Sequence, residues 1–334
     1  MRAGVRLTAV VLGVGLGLGF GAARAEMEWK RPPPTAQDRA VAAGDELLAR
    51  ARELTLRAEV QRQDRQPRQA DLSEAHAARY AQQAIDKYEQ AVKLGPSRPD
   101  AHYRAYVAAR YYLKGNDERT HEKIIEHGTR FREVAPLDPR HFDVTEDLCH
   151  ALARLGALRA GTAADTLYDR AVKEYDLLVS RIDPIDAEAS RSIGTIYSNA
   201  AELLMAVGRI DEAIAYYERA IASDPHNSLN LYGLAVAYDR DGQVQKAAEA
   251  MRAAIQRDQN LEQILHADEP GWPVYFVPQG DKQYYLALAF LVRGDKREAV
   301  RRFEAFLTQA KSAKKQYVDR AREHLRELKA HAAR

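Results

Sequence analysis

Two stretches of the chain carry the same spacing of small and large residues with different residues between them. Residues 208–225 read GRIDEAIAYYERAIASDP, and residues 242–259 read GQVQKAAEAMRAAIQRDQ. In each stretch a glycine is followed by an alanine, then by a large apolar residue, then by a second alanine, at the same intervals. Because residues three and four apart share one face of an α-helix, the pattern predicts a helix with one packing face that occurs twice along the chain.

The same pattern recurs along most of the chain. Four more segments carry it, at 84–96, 127–139, 171–184 and 294–307. A helix pair cannot bury its apolar stripe alone, whereas stacked pairs bury each other's stripes, which explains why only the contact positions repeat. In the front half the large residues recur every 42 to 44 positions, which predicts longer turns or longer second helices there.

This pattern resembles the tetratricopeptide repeat, a family built from two antiparallel helices in about 34 residues. Gly208 and Gly242 stand where that family ends its first helix, since glycine readily takes the left-handed conformation that stops a helix. The resemblance implies an all-α, right-handed superhelical solenoid with about six repeats over residues 37–311 and a capping helix over 312–334. HEAT and armadillo arrays are the alternative for repeats of 40-odd residues, but the order glycine, alanine, aromatic, alanine favours the tetratricopeptide type.

The N-terminal segment 1–25 has the layout of a secretory signal peptide. Arg2 and Arg6 precede an uncharged apolar run over 7–22, and small residues follow up to Ala25. We therefore expect cleavage after Ala25, a proline-rich linker over 26–36, and a periplasmic or secreted mature protein. An uncleaved membrane anchor is the alternative, although the apolar run is short for a membrane span and rich in glycine.

Charge and cysteine content restrict the function further. The formal net charge is +2, and removal of the three arginines of the leader brings it to −1, so a general affinity for nucleic acid is not implied. Cys149 is the only cysteine, which rules out an internal disulfide. We predict that Cys149 is a small buried helix residue.

The segment HEKIIEH at 121–127 invites comparison with zinc-binding helices. Such a helix needs two histidines four residues apart, whereas here they are six apart and point to different sides. A solvated helix face is therefore predicted, and no metal ligand. Because phosphate-binding loops and nucleophile motifs are also missing from the sequence, we predict no catalytic residue, no cofactor and no enzymatic activity.

The predicted function is that of an exported scaffold or adaptor that binds other envelope proteins or peptides. In tetratricopeptide proteins the first helices line a concave groove that holds partner peptides or helices. Carried over by position, this geometry predicts the following groove-facing contacts: Tyr232, Val236, Asp239, Arg240, Tyr284, Leu288, Leu291, His102 and Tyr112. Aromatic and arginine side chains are favoured anchors in protein interfaces, although packing between helices is the competing explanation for each residue.

An insertion at 260–280 is the second candidate site for binding a partner. Its three prolines exclude a continuous helix, so a loop with a short extended piece is predicted. Trp272 and Tyr275 are its candidate contacts for a partner. A loop that merely covers the gap between repeats is the competing structural explanation. The alternative function is a receptor for a small ligand or cell-wall fragment that uses this loop as a lid, and an enzyme or enzyme subunit is the third.

The C-terminal end is basic. Residues 293–334 carry 13 Lys and Arg against six Asp and Glu, which suits either contact with an anionic surface or a solvated outer face. Within the capping helix one apolar stripe is predicted, and its members are Val318, Ala321, Leu325 and Leu328. Such helices shield the last open core face of a repeat array.

Overall fold

The computed structural model describes residues 33–113, 117–181, 187–267, 276, 278 and 280–332. The chain divides into two units, Met1–Pro34 and Thr35–Arg334, and the second unit is the one described below. The predicted signal peptide and residues 26–32 of the predicted linker lie outside the described residues. The described residues form α-helices and no β-strand.

The helices of this unit contain between 5 and 28 residues and follow one another closely. They are α1 (Ala36–Gln63), α2 (Pro67–Leu94), α3 (Pro99–Tyr112), α4 (Glu118–Val134), α5 (His141–Leu158), α6 (Thr162–Val179), α7 (Ala187–Val207), α8 (Ile210–Ser223), α9 (Ser228–Arg240), α10 (Val244–Arg257), α11 (Glu262–His266), α12 (Lys282–Val292), α13 (Lys296–Gln309) and α14 (Lys315–Ala332).

Six antiparallel pairs account for all but two of these helices. The pairs are α1 with α2, α3 with α4, α5 with α6, α7 with α8, α9 with α10, and α12 with α13. Each pair also packs against the next, and the buried apolar residues form one continuous core from Ala40 to Leu328. The expected all-α array of about six helix pairs followed by a C-terminal helix is confirmed.

The glycine, alanine and tyrosine positions of the repeat have the conformation and burial that the sequence pattern predicts. Gly208 and Gly242 have positive φ angles of 89° and 80° and end α7 and α9. Ala213 and Tyr217 are completely buried, as is Cys149, whose burial confirms the sequence prediction. An alanine at the packing position lets two helices approach closely, and the tyrosine four residues later fills the space between pairs.

The extra residues of the front half lie in its helices. The second helices α4 and α6 contain 17 and 18 residues, whereas α8 and α10 each contain 14. The first pair is longer still, since α1 and α2 each contain 28 residues. Of the two explanations for the wide spacing, longer helices are therefore correct.

The insertion at 260–280 is not a loop throughout, contrary to the sequence prediction. Residues 262–266 form α11, and Ile264 is completely buried. The Asp258 carboxylate accepts hydrogen bonds from the backbone N–H groups of Glu262 and Gln263, at 2.8 and 3.1 Å, which starts the helix despite the prolines downstream. Of the predicted extended piece, only Phe276 belongs to the described residues.

Candidate partner-binding face

The C-terminal helix α14 packs on the first helices of earlier pairs as well as on its neighbour α13. Before α14 begins, Lys314 Nζ in the preceding turn lies 3.0 Å from an Asp165 carboxylate oxygen of α6, the second helix of the third pair. Further along, the Tyr317 hydroxyl donates a 2.7 Å hydrogen bond to the Met205 carbonyl at the end of α7. At the far end, Lys329 pairs with Glu304 of α13 at 2.9 Å. The turn before α14 therefore contacts the third pair, and α14 itself contacts the fourth, fifth and sixth pairs.

The centre of this contact is Asp239, near the end of α9. Its carboxylate accepts hydrogen bonds from the Tyr284 hydroxyl at 2.5 Å and the Arg320 guanidinium at 2.9 Å, and it lies 2.9 Å from His324 Nε2. Only 2% of Asp239 is exposed. Burial alone raises the pKa of Asp239, but the hydrogen bonds and charges of His324, Tyr284 and Arg320 outweigh it and hold the pKa below its usual value.

Arg240, the next residue, is enclosed between two tyrosines. Its guanidinium carbon lies 4.7 Å from the ring centre of Tyr284 and 4.2 Å from that of Tyr317. The guanidinium also forms an ion pair with Asp281, and both of these side chains are completely buried. Tyr317 of α14 therefore covers a side of the Arg240 guanidinium that would otherwise be exposed, and its ring interacts favourably with the cation.

A buried carboxylic acid lies beside this ion pair. Glu202 of α7 accepts a 2.5 Å hydrogen bond from the Tyr217 hydroxyl and a second from Tyr285. Burial, together with the nearby Asp281, raises the pKa of Glu202 well above its usual value. Its sequence signal was a lone glutamate within the apolar run 200–205, which the sequence analysis did not use.

The other predicted contacts lie in several places. Tyr232, Val236 and Leu288 are buried between helices, Leu291 is half-buried, and His102 is buried against α4. Tyr112 is half-buried beside an open groove. Trp272 and Tyr275 lie outside the described residues. The predicted role of all these residues in binding a partner stays a prediction.

The open groove lies between α1 and α3, far from α14 along the array. It encloses about 420 Å³ and is lined by Asp45, Leu48, Ala49, Arg52, Arg104, Val107 and Tyr112. Asp45 is already engaged there, because it accepts a 2.9 Å hydrogen bond from the Tyr88 hydroxyl and forms an ion pair with Arg104. This part of the first-helix face is therefore uncovered by the described helices, whereas α14 covers the part around Asp239 and Arg240.

The apolar stripe of α14 differs from the predicted one in its membership. Ala321, Leu325 and Leu328 are buried as expected, but Val318 is only half-buried. Tyr317 and His324 are buried in addition, and the His324 ring stacks on Phe303 with 4.9 Å between ring centres. Part of the basic end pairs within the chain through Lys314, Arg320 and Lys329, and contact with an anionic surface stays a prediction.

Both histidines of the segment 121–127 are buried, which contradicts the predicted solvated face at these two positions. His127 is 1% exposed and His121 is 9% exposed. The two sides to which these histidines point are both packed, because α4 lies between α3 and α5. Six-residue spacing excludes the zinc-helix motif, but it does not place either histidine in solvent.

The comparisons with known proteins agree with the geometry. A family model described as tetratricopeptide repeat matches residues 198–262, from the middle of α7 to the start of α11. The fold is that of a tetratricopeptide-like helical-repeat protein, and repeats of this kind generally mediate protein–protein interactions. No curated protein matches the chain.

Several solved structures are similar to this chain at low identity. YrrB, described as a tetratricopeptide protein with an unusual peptide-binding site, is 17% identical over 71% of this chain and all of that one, with a TM-score of 0.39. An assembly chaperone of RpL4 is 15% identical over 85% of this chain and 99% of that one, with a TM-score of 0.45. The type IV pilus biogenesis factor PilW is 14% identical over 83% and 97%, with a TM-score of 0.38. At these values the likenesses carry no argument about what this chain binds.

Among the described residues, the helices that are long enough to cross a bilayer are too polar to do so, and the apolar ones are too short.

Proposed function

We propose that this protein is a non-enzymatic scaffold that binds helical segments of partner proteins on its first-helix face, and that α14 occupies this face until a partner exchanges with it. The observation that carries the proposal is the contact of α14 with Asp239 and Arg240. Both residues belong to the set that the family resemblance assigns to partner binding. A helix held there by a tyrosine and two basic side chains has the contacts expected of a bound partner.

The side chains of the first-helix face determine which side chains a partner helix must carry. Asp239 is buried and ionised, so an exchange that left it without a cation would cost roughly 3–5 kcal/mol. The partner helix must therefore supply basic side chains where Arg320 and His324 stand, and an aromatic ring where Tyr317 covers Arg240. An amphipathic helix with an aromatic residue, a basic residue three positions later and another basic residue seven positions later meets these requirements.

The proposed test exchanges α14 for a probe of known sequence. A protease site is placed at the exposed turn between Lys311 and Ser312 of the full chain, and cleavage leaves α14 bound by its contacts alone. The probe is a fluorescently labelled synthetic peptide of residues 312–334. We expect saturable binding of the probe to the cleaved protein, and binding at least tenfold weaker to the intact protein, because tethering gives α14 a high effective concentration.

The matched control is the same peptide with Tyr317→Ala and Arg320→Ala, which we expect to bind at least tenfold more weakly than the unaltered peptide. Equal binding of the two peptides contradicts the proposal. So does the absence of peptide binding to a cleaved protein that keeps its helical circular dichroism spectrum.

We further propose that the scaffold acts outside the cytoplasm, on the basis of the signal peptide predicted over residues 1–25. The test is to express the full-length protein in a Gram-negative host and to sequence the N-terminus of the product recovered from the periplasm. A product that begins at Glu26 agrees with the proposal. A cytoplasmic product that retains Met1 contradicts it.

A further inference from the structure

His127 of α4 is buried among charged and titratable side chains from three helices. Glu89 of α2 lies 3.5 Å from its Nε2 atom, and His102 of α3 lies 3.5 Å from its Nδ1 atom. On α4 itself, Glu126 is the preceding residue, and Lys123 pairs with Glu89 at 2.6 Å and with Glu126 at 2.9 Å. The first two helix pairs meet at this cluster.

The hydrogen bonds of the two histidines fix where their protons lie. His102 Nε2 is 3.3 Å from the Pro96 carbonyl, which can only accept, so Nε2 carries the proton and Nδ1 of neutral His102 is an acceptor. His127 Nδ1 faces that acceptor and must therefore donate to it. The lone pair of neutral His127 is then left on Nε2, which is buried and has no hydrogen-bond partner.

That lone pair points towards negative charge. His127 Nε2 and the Glu89 carboxylate then only accept and repel each other, and the cation that the structure places beside Glu89 is the Lys123 ammonium, at 2.6 Å. One ligand atom from each of Glu89, Glu126 and His127 lies within 4.8 Å of the others. Ligands about 2.0–2.1 Å from a tetrahedral zinc ion stand roughly 3.3 Å apart, close to the 3.5 Å that separates Nε2 from Glu89.

We propose that Glu89, Glu126 and His127 bind a divalent transition-metal ion, with Zn²⁺ as the best match, and that His102 orients the imidazole as an outer partner. One nitrogen and two carboxylate oxygens are a donor set that zinc accepts, with water as the fourth ligand. An imidazole that binds metal usually donates its other N–H to a second group, as His127 does to His102. Lys123 now bridges the two carboxylates, and the metal ion displaces its ammonium group.

The bound ion would tie α2 of the first pair to α4 of the second, because Glu89 belongs to α2 and both Glu126 and His127 belong to α4.

The test titrates the full chain with Zn²⁺ by isothermal calorimetry, with and without single substitutions. We expect one specific site in the wild-type protein, and affinity about tenfold or more weaker in Glu89→Gln and Glu126→Gln. Lys123→Met removes the competing ammonium, so it should tighten zinc binding. Glu122→Gln is the matched control, because Glu122 is an exposed carboxylate on the same helix that pairs with Arg159 instead, and its affinity should equal that of the wild type.

Two results would overturn the metal site. The first is the absence of a specific site in both the wild type and Lys123→Met. The second is a site whose affinity is the same in Glu89→Gln, Glu126→Gln and the Glu122→Gln control, which would mean that zinc binds elsewhere. This cluster is separate from α14, so the outcome is independent of the partner-exchange experiment.

Discussion

Gly233 of α9 is the position where one added methyl group has the best-defined consequence. A Cβ atom at residue 233 would lie 2.2 Å from Cε1 and 2.3 Å from Cζ of Tyr217, far inside van der Waals contact. Tyr217 cannot swing away, because its ring is completely buried and its hydroxyl donates to Glu202. We therefore predict that Gly233→Ala destabilises the contact between the fourth and fifth helix pairs.

The expected change in the free energy of unfolding for Gly233→Ala follows from two opposing effects. Overpacking a well-filled core costs about 1–3 kcal/mol, and the short distances put this case at the upper end. Alanine is the better helix former by about 1 kcal/mol. The net effect expected for Gly233→Ala is a loss of about 2 kcal/mol in the free energy of unfolding, measured by urea denaturation followed by circular dichroism.

A double-mutant cycle separates the two terms. In the Tyr217→Ala background the clash is gone and only the helix preference remains, so Gly233→Ala should stabilise that variant by about 1 kcal/mol. The tyrosine substitution itself should cost about 3 kcal/mol through the cavity it leaves. A neutral or stabilising Gly233→Ala in the wild-type background, or the same sign in both backgrounds, would refute this reasoning.

Three further predictions concern stability. Asp281→Ala leaves the buried Arg240 charge unpaired and should lower the free energy of unfolding by about 3–5 kcal/mol in chemical denaturation, whereas Asp241→Ala at the exposed end of α9 should have little effect. Burial lowers the pKa of His150 from 6.5 to about 4. Between these two pH values His150 is protonated in the unfolded chain but not in the folded one. The free energy of unfolding should therefore fall by up to roughly 3 kcal/mol as the pH drops from 6.5 to 4. His150→Gln should flatten this part of the pH profile, and an unchanged profile would contradict the assignment. Ala213→Leu should overpack its helix contact and lower the thermal midpoint, at a cost of about 1–3 kcal/mol.

The repeat architecture could be predicted because its signals are local. Each helix pair carries its own stop signal and packing positions within a single repeat, as Gly208, Ala213 and Tyr217 show. Burial at these positions is fixed by helix geometry and by the need of each pair for a neighbour. The helix within the insertion at 260–280 was harder to predict. Asp258 starts α11 by accepting backbone hydrogen bonds, and the apolar pattern does not reveal these bonds.

The position of α14 could not be predicted from the same signals. Its contacts join residues far apart in sequence, since Arg320 lies 81 positions after its partner Asp239. The periodicity of α14 alone favoured Val318, whereas the observed face carries Tyr317 and His324, whose polar atoms find partners on other helices. A polar side chain is normally buried only where it has a hydrogen-bond partner. The apolar pattern of one helix does not identify a partner on another helix, so it could not predict the burial of Tyr317 and His324.

The most direct test of the account is whether α14 lies across the array in solution. Lys314 Nζ and the Asp165 carboxylate are 3.0 Å apart, although the two residues are 149 positions apart in sequence. A zero-length carbodiimide cross-linker followed by mass spectrometry of the full chain should recover a peptide that joins Lys314 to Asp165, and Asp165→Asn should abolish it. The ion pair of Lys315 with Asp319 within α14 is the internal control. Recovery of the control link without the link to Asp165 would contradict the account.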